Sequence, residues 1–180
     1  MALLSCSFVT DRLVVDDWSH LLAGDSAETT RDSFVMSLLS DAVTRDLPPG
    51  WQGRYDMDRA ASWFAERQSE GTVLLIAGRS ESNPVGLLIL SESEHSDGAS
   101  DVRLGYVIIE SAWGQGFATE VVAGLADWCR DNGTIRSMIG GVADCSGASA
   151  RVLHKNGFIP NLTDEGRRDD GVEYTLTITP

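Results

Sequence analysis

Eight consecutive residues, Trp113-Gly114-Gln115-Gly116-Phe117-Ala118-Thr119-Glu120, have the composition of a glycine-bearing turn that opens a helix directly after an apolar strand. Glycines at 114 and 116 let the backbone come close to a ligand, and the first helical turn carries N–H groups with no intrahelical acceptor. Such a turn is a cradle for phosphate oxygens, and the helix dipole favours anions there without basic side chains. The chain has neither a P-loop with its Lys-Ser/Thr nor a G-x-G-x-x-G fingerprint, which disfavours a nucleotide hydrolase or a dinucleotide dehydrogenase.

The elements that must hold this turn follow from periodicity. Leu104 to Ile109 reads as the preceding strand, and Phe117, Val121, Val122, Leu125, Trp128 and Cys129 share one face of the following helix. That helix ends at Asn132-Gly133, a C-cap pair. Ser137 to Ala143 is the next strand, and Ser146 can cap a further helix ending at Asn156-Gly157. Upstream, Phe8 to Val15 reads as one strand, followed by helical sequence through Asp46 and the breaker Leu47-Pro48-Pro49-Gly50. A helix runs from about Asp56 to Glu70, and Val73–Arg79 with Val85–Leu90 form a hairpin. The polar stretch Ser91 to Asp101 leads to the strand before the glycine turn, and Ile159 with Val172–Thr179 closes the sheet. The order predicts a mixed α/β sandwich in a single domain spanning 1–180.

A chain of 180 residues, 42% hydrophobic, has enough core to be stable without disulfides or a structural metal. Three cysteines without metal-site spacing are expected to be reduced thiols. With no basic n-region and no long apolar run, neither a signal peptide nor a membrane span is expected, and the reading is cytoplasmic. The formal charge of −13 argues against nucleic acid or an anionic membrane as partner. Between Arg103 and Pro160, however, five basic residues balance five acidic ones, so a polyanionic ligand is tolerated there.

Four segments, in order, resemble the GNAT acyltransferase superfamily, and within it the ribosomal-protein alanine N-acetyltransferase-like subgroup. They are Thr10-Asp11-Arg12-Leu13-Val14-Val15, Tyr55-Asp56-Met57-Asp58-Arg59-Ala60, the strand-turn-helix Leu104 to Glu120 with its W-G-x-G-x-A-T-E form, and Ser146 to Phe158 with Leu153-His154-Lys155-Asn156-Gly157-Phe158. The resemblance implies a GNAT-like fold, a mixed and mostly antiparallel sheet flanked by helices, with splayed central strands. It also implies acetyl-CoA as co-substrate, no metal, and acetyl transfer to a primary amine, either a peptide N-terminus or a small molecule, by direct attack. Dimerisation is common in the family, and no exposed stripe in this sequence demands it.

By the same resemblance, the backbone of Gly114, Gln115, Gly116, Phe117, Ala118 and Thr119 holds the CoA pyrophosphate. Tyr106, Val107 and Ile108 pair with the pantetheine arm, and Ile108 or Ile109 offers the oxyanion-binding amide. Ser146 stands where the family has a pantetheine-binding Asn, and Ser149 matches the serine that donates a proton to the leaving thiolate. Two departures affect the acid and base: Arg103 occupies the position of a subgroup glutamate, and Leu153 replaces a helix tyrosine. Asp101, Glu110 and Asp144 are the nearest other carboxylates. Arg103, Ser146 and Leu153 together motivate a second reading, a non-catalytic acyl-CoA-binding regulatory module. Cys145 is expected to be a small junction residue, Trp63 and Phe64 core, and Trp51 a substrate contact on its Pro/Gly loop.

Overall fold

The structure is a computed structural model that describes residues 5–21, 27–80, 83–143, 147–163, 167–168 and 171–178. The chain begins with β1 (Phe8–Val9) and β2 (Leu13–Asp16), an antiparallel hairpin rather than the single strand expected. Its turn is made by Thr10, whose N–H donates to the Leu13 carbonyl at 2.9 Å and whose hydroxyl oxygen accepts from the Leu13 N–H at 3.1 Å. Three helices follow, α1 (Trp18–Leu21), α2 (Ala27–Leu38) and α3 (Asp41–Thr44), then a 3-10 turn at Pro49–Trp51.

Helix α4 (Met57–Glu70) starts where the Asp56 carboxylate caps it by accepting the Arg59 N–H, close to the boundary expected from the sequence. Strands β3 (Thr72–Gly78), β4 (Pro84–Glu94) and β5 (Ser100–Ile108) form an antiparallel meander. The polar residues Ser91–Glu94 and Ser100–Asp101 thus extend the two strands instead of forming a connector. Helix α5 (Phe117–Asn132) lies between left-handed glycines, Gly116 at φ 81° and Gly133 at φ 74°. Strand β6 (Ile135–Ala143), helix α6 (Gly147–Lys155), and strands β7 (Ile159–Pro160), β8 (Arg167–Arg168) and β9 (Gly171–Thr177) complete the chain.

The sheet order is β1-β2-β3-β4-β5-β6-β9-β7, with β8 paired to β9. One core lies under α5 and α6, where Val121, Val122, Leu125, Cys129 and Leu153 meet Leu74, Ile76, Leu88, Val102 and Leu104. The other lies under α2 and α4, where Val35, Leu38, Trp63 and Phe64 meet Val73, Leu75, Ala77, Leu87 and Val107. Alternate residues of β3 therefore enter opposite cores, which explains its unbroken apolar run. No helix among the described residues is long and apolar enough to cross a membrane.

Among the described residues only β5 and β6 pair in parallel, and their pairing runs from Ser100↔Ile135 to Leu104↔Gly140 and stops. Beyond it, Gly105–Ile108 is paired with β4 alone and Gly141–Ala143 with β9 alone. The sheet opens there into a V, the splay that the family resemblance implied. Its closed end is fastened by Asp101, which lies 2.7 Å from His95 Nε2 and accepts the Ser137 hydroxyl at 2.7 Å.

Candidate active site

The glycine turn lies at the mouth of the V. Gly114 has φ 74° and Gly116 φ 81°, backbone states that favour glycine. Among the described residues, the amides of Gly114 to Thr119 have no protein acceptor. Those donors border a cavity of about 490 Å³ whose walls include Tyr106, Val107, Ile108, Trp113 and Phe117 on one side and Ala148, Ser149, Arg151, Val152 and Lys155 of α6 on the other. The cavity thus joins a neutral anion cradle to two cations on α6.

Strand geometry decides which β5 groups face this cavity. The Ile109 N–H donates to the Val85 carbonyl at 2.9 Å, so it points into the β4 pairing and away from the V. Ile109 is therefore not available as an oxyanion donor, which corrects that expectation. Successive residues of a strand direct their amides to opposite edges, so Tyr106 and Ile108 turn theirs toward the open side. The Ile108 carbonyl agrees with this, accepting the Trp113 indole N–H at 2.8 Å. Val107 points its backbone toward β4 and contributes its side chain to the walls.

A second cavity, of about 480 Å³, opens on the other face of the sheet. It is bounded by the loop from Arg45 to Gln52, by Arg103, Gly105 and Val107, by Gly141, and by Glu173 of β9. Trp51 packs edge-on against Trp63 at 5.0 Å and lies under the Arg67 guanidinium at 4.8 Å, so it is a fixed wall of this cavity. Trp63 and Phe64 are buried, as expected. Asp46, Leu47, Tyr106, Val107 and Ser149 border both cavities, which meet through the V.

Glu173 is a candidate side chain of the site that sequence reasoning missed. It is 9% exposed and accepts a hydrogen bond from Arg103 Nη2 at 2.6 Å. No sequence signal marked it, because burial is a property of the fold; a buried Glu is rare unless paired, and here the partner is Arg103. Arg103, which replaces the expected glutamate, thus brings a carboxylate from another strand. Asp101 is tied into the closed end of the sheet, Glu110 lies exposed in a 3-10 turn, and Asp144 lies outside the described residues, as do Cys145 and Ser146.

Tyr106 extends its ring beneath α6, and its hydroxyl is sealed from solvent. Burial pushes its pKa up, and the Ser149 hydroxyl it faces offsets this in part. Leu153 is buried against Gly140, where a Cβ would come within 2.9 Å of the leucine, so this position packs α6 onto β6. His154 stands edge-on to Tyr174 at the surface. Cys6 and Cys129 are buried thiols, both pushed up to about 12 chiefly by burial, which leaves them without nucleophilic character.

A family model described as an acetyltransferase (GNAT) domain matches residues 26–159. Among solved structures, a GNAT-family acetyltransferase from Bacillus anthracis aligns with TM-score 0.72 at 12% identity, covering 96% of this chain and 98% of that one. An acetyltransferase from Agrobacterium tumefaciens str. C58 aligns with TM-score 0.66 at 18% identity, covering 98% and 96%. RimL, a ribosomal L7/L12 alpha-N-protein acetyltransferase in complex with coenzyme A, aligns with TM-score 0.70 at 16% identity, covering 96% and 98%. No curated protein sequence matches. At these identities the solved structures establish a common fold.

Proposed function

As the match over residues 26–159 makes the chain a member of the GNAT acetyltransferase family, we propose that it moves acetyl from acetyl-CoA to the α-amine of a peptide or protein N-terminus. The observation that carries this reading is the V between β5 and β6, where an anion cradle on one side meets a carboxylate-bearing cavity on the other. The cradle amides and the cations Arg151 and Lys155 suit the pyrophosphate and phosphate of CoA. The open amides of Tyr106 and Ile108 suit an extended pantetheine arm, which adds to a sheet edge as a strand would.

In this reading the amine enters from the Glu173 side. Its nitrogen attacks the thioester carbon, and the Ile108 N–H receives the developing oxyanion. The amine proton passes to the Glu173 carboxylate, directly or through water, and the C–S bond breaks with Ser149 donating a hydrogen bond to the sulfur. A free α-amine has a pKa near 8 and is about a tenth neutral at pH 7, whereas a lysine near 10.4 is neutral in fewer than one molecule per thousand. The modest base available here suits the α-amine. RimL, a neighbour at the level of fold, is named as acting on a protein α-amine, which supports the same acceptor class.

Incubation with acetyl-CoA and three acceptor sets tests this: peptides with free N-termini, the same peptides blocked at the N-terminus but containing lysine, and small primary amines. Thiol release with acetylated product on the first set is expected. Product only on small amines would overturn the acceptor assignment. CoA binding without product on any amine would overturn catalysis and leave a binding module, the reading that Arg103, Ser146 and Leu153 had suggested.

A further inference from the structure

Of the residues that border both cavities, only Tyr106 and Ser149 carry hydroxyls. They come from different elements: Tyr106 rises from β5 at the apex of the V and Ser149 lies on the first turn of α6. The Tyr106 oxygen is closed off from solvent and makes no complete hydrogen bond, and Ser149 is the polar group that it faces. A buried hydroxyl without a full partner is costly, so such a group at a junction of cavities marks a place where something else completes the bonding. Hydrogen bonds of this kind are loose in ligand-free enzymes and tighten in the reacting complex.

Resting on the transferase reading above, we infer that Tyr106 is a positioning residue for Ser149, donating to its oxygen so that the serine hydrogen points at the departing sulfur. When the tetrahedral intermediate collapses, the C–S electron pair moves to sulfur and the Ser149 O–H stabilises the thiolate, which later takes its proton from solvent. Tyr106 transfers no proton. Burial pushes its pKa up and keeps the phenol neutral, so it retains a proton to donate. The geometry is restrictive: β5 holds the phenol by its pairing Leu88↔Tyr106 with β4, and α6 holds the serine through Leu153 seated on Gly140. Arg151, His154 and Lys155, the charged or titratable groups of α6, are exposed, and none replaces this contact.

Steady-state kinetics on Tyr106→Phe, Ser149→Ala and the double variant test the inference, with CoA affinity measured by calorimetry on each. Phenylalanine keeps the ring and removes only the oxygen. Each single variant is expected to lower kcat about tenfold or more, with the KM for acetyl-CoA and the CoA Kd within about threefold of the parent. The double variant is expected to be no slower than the slower single, because the two hydroxyls act as one unit. A Tyr106→Phe enzyme with parental kcat, a loss of CoA binding in that variant, or penalties that multiply in the double would overturn the positioning role. If Ser149→Ala itself keeps parental kcat, the role given to Ser149 falls and this inference with it, although acetylated product would leave the transferase reading in force.

Discussion

Arg12 and Glu120 are joined across 108 residues of chain: Arg12 Nε donates to Glu120 Oε2 at 2.7 Å, and Nη2 lies 2.6 Å from the same oxygen. The other carboxylate oxygen accepts the Arg12 N–H at 2.9 Å and the Thr10 hydroxyl at 2.6 Å. Arg12 Nη1 also donates to the Gln115 carbonyl at 3.0 Å, and its guanidinium lies 4.6 Å from the centre of the Phe117 ring. The Thr10-Asp11-Arg12-Leu13 segment and the terminal Glu of W-G-x-G-x-A-T-E are thus two halves of one fastening that sets the glycine turn.

Removing that fastening should loosen the cradle without touching the reacting atoms. Glu120→Ala is expected to raise the KM for acetyl-CoA about three- to tenfold and to change kcat by less than about threefold, since the lost bonds are half-exposed and worth about 1 kcal/mol after screening. The Kd for CoA should rise in parallel. An unchanged Kd would show that the turn holds its shape unaided.

The same group makes stability depend on pH. Burial alone would raise the Glu120 pKa, but the hydrogen bonds from Thr10 and Arg12 outweigh it and hold the carboxyl below the ordinary value. A depressed folded pKa contributes stability that is fully present above the unfolded pKa, about 4.3, and is lost as pH falls through the folded value. Urea unfolding of the parent and of Glu120→Gln at pH 7 and at about pH 3.5 should therefore show the two converging on acidification. A gap of the same size at both pH values would remove Glu120 from the acid response.

Local features of this architecture were legible in the sequence, and long-range ones were not. Gly114 and Gly116 announce the cradle because a turn and a helix start are decided within a few residues, and Asp56 announces α4 for the same reason. The V was implied only by the family resemblance and not by any local pattern, because it depends on where β5 and β6 stop pairing, which no single segment encodes. Glu173 was hidden because its partner Arg103 lies 70 residues away on a strand reached only through the fold. The oxyanion donor turned on which edge an amide faces, and the Val85 carbonyl decides that for Ile109. Phe8 to Val15 reads as one strand, and the Thr10 side chain folds it into a hairpin.

Glu173 gives the most direct test of the chemistry. Glu173→Gln keeps the shape and a hydrogen-bond acceptor for Arg103 but removes the base, so kcat is expected to fall on the order of 10²- to 10³-fold with little change in CoA affinity. A Glu173→Gln enzyme with kcat within about threefold of the parent would assign proton removal to water alone.

Gly105 separates stability from activity in one substitution. It lies on β5 opposite Ile89, at the point where the V opens, and borders the cavity proposed to admit the acceptor. A Cβ built there meets nothing within 4 Å, so a valine would project into the cavity without disturbing the fold. Glycine weakens a strand and valine suits one, so Gly105→Val should raise the thermal midpoint by a few degrees, equivalent to about 0.5–1 kcal/mol. On the proposed function, the same side chain narrows the path by which the amine reaches the V. The KM for a peptide acceptor should rise about tenfold or more, while the Kd for CoA stays within about threefold, because the cradle lies beyond the splay. A variant that is more stable and acetylates peptides as fast as its parent would exclude this cavity as the acceptor's route.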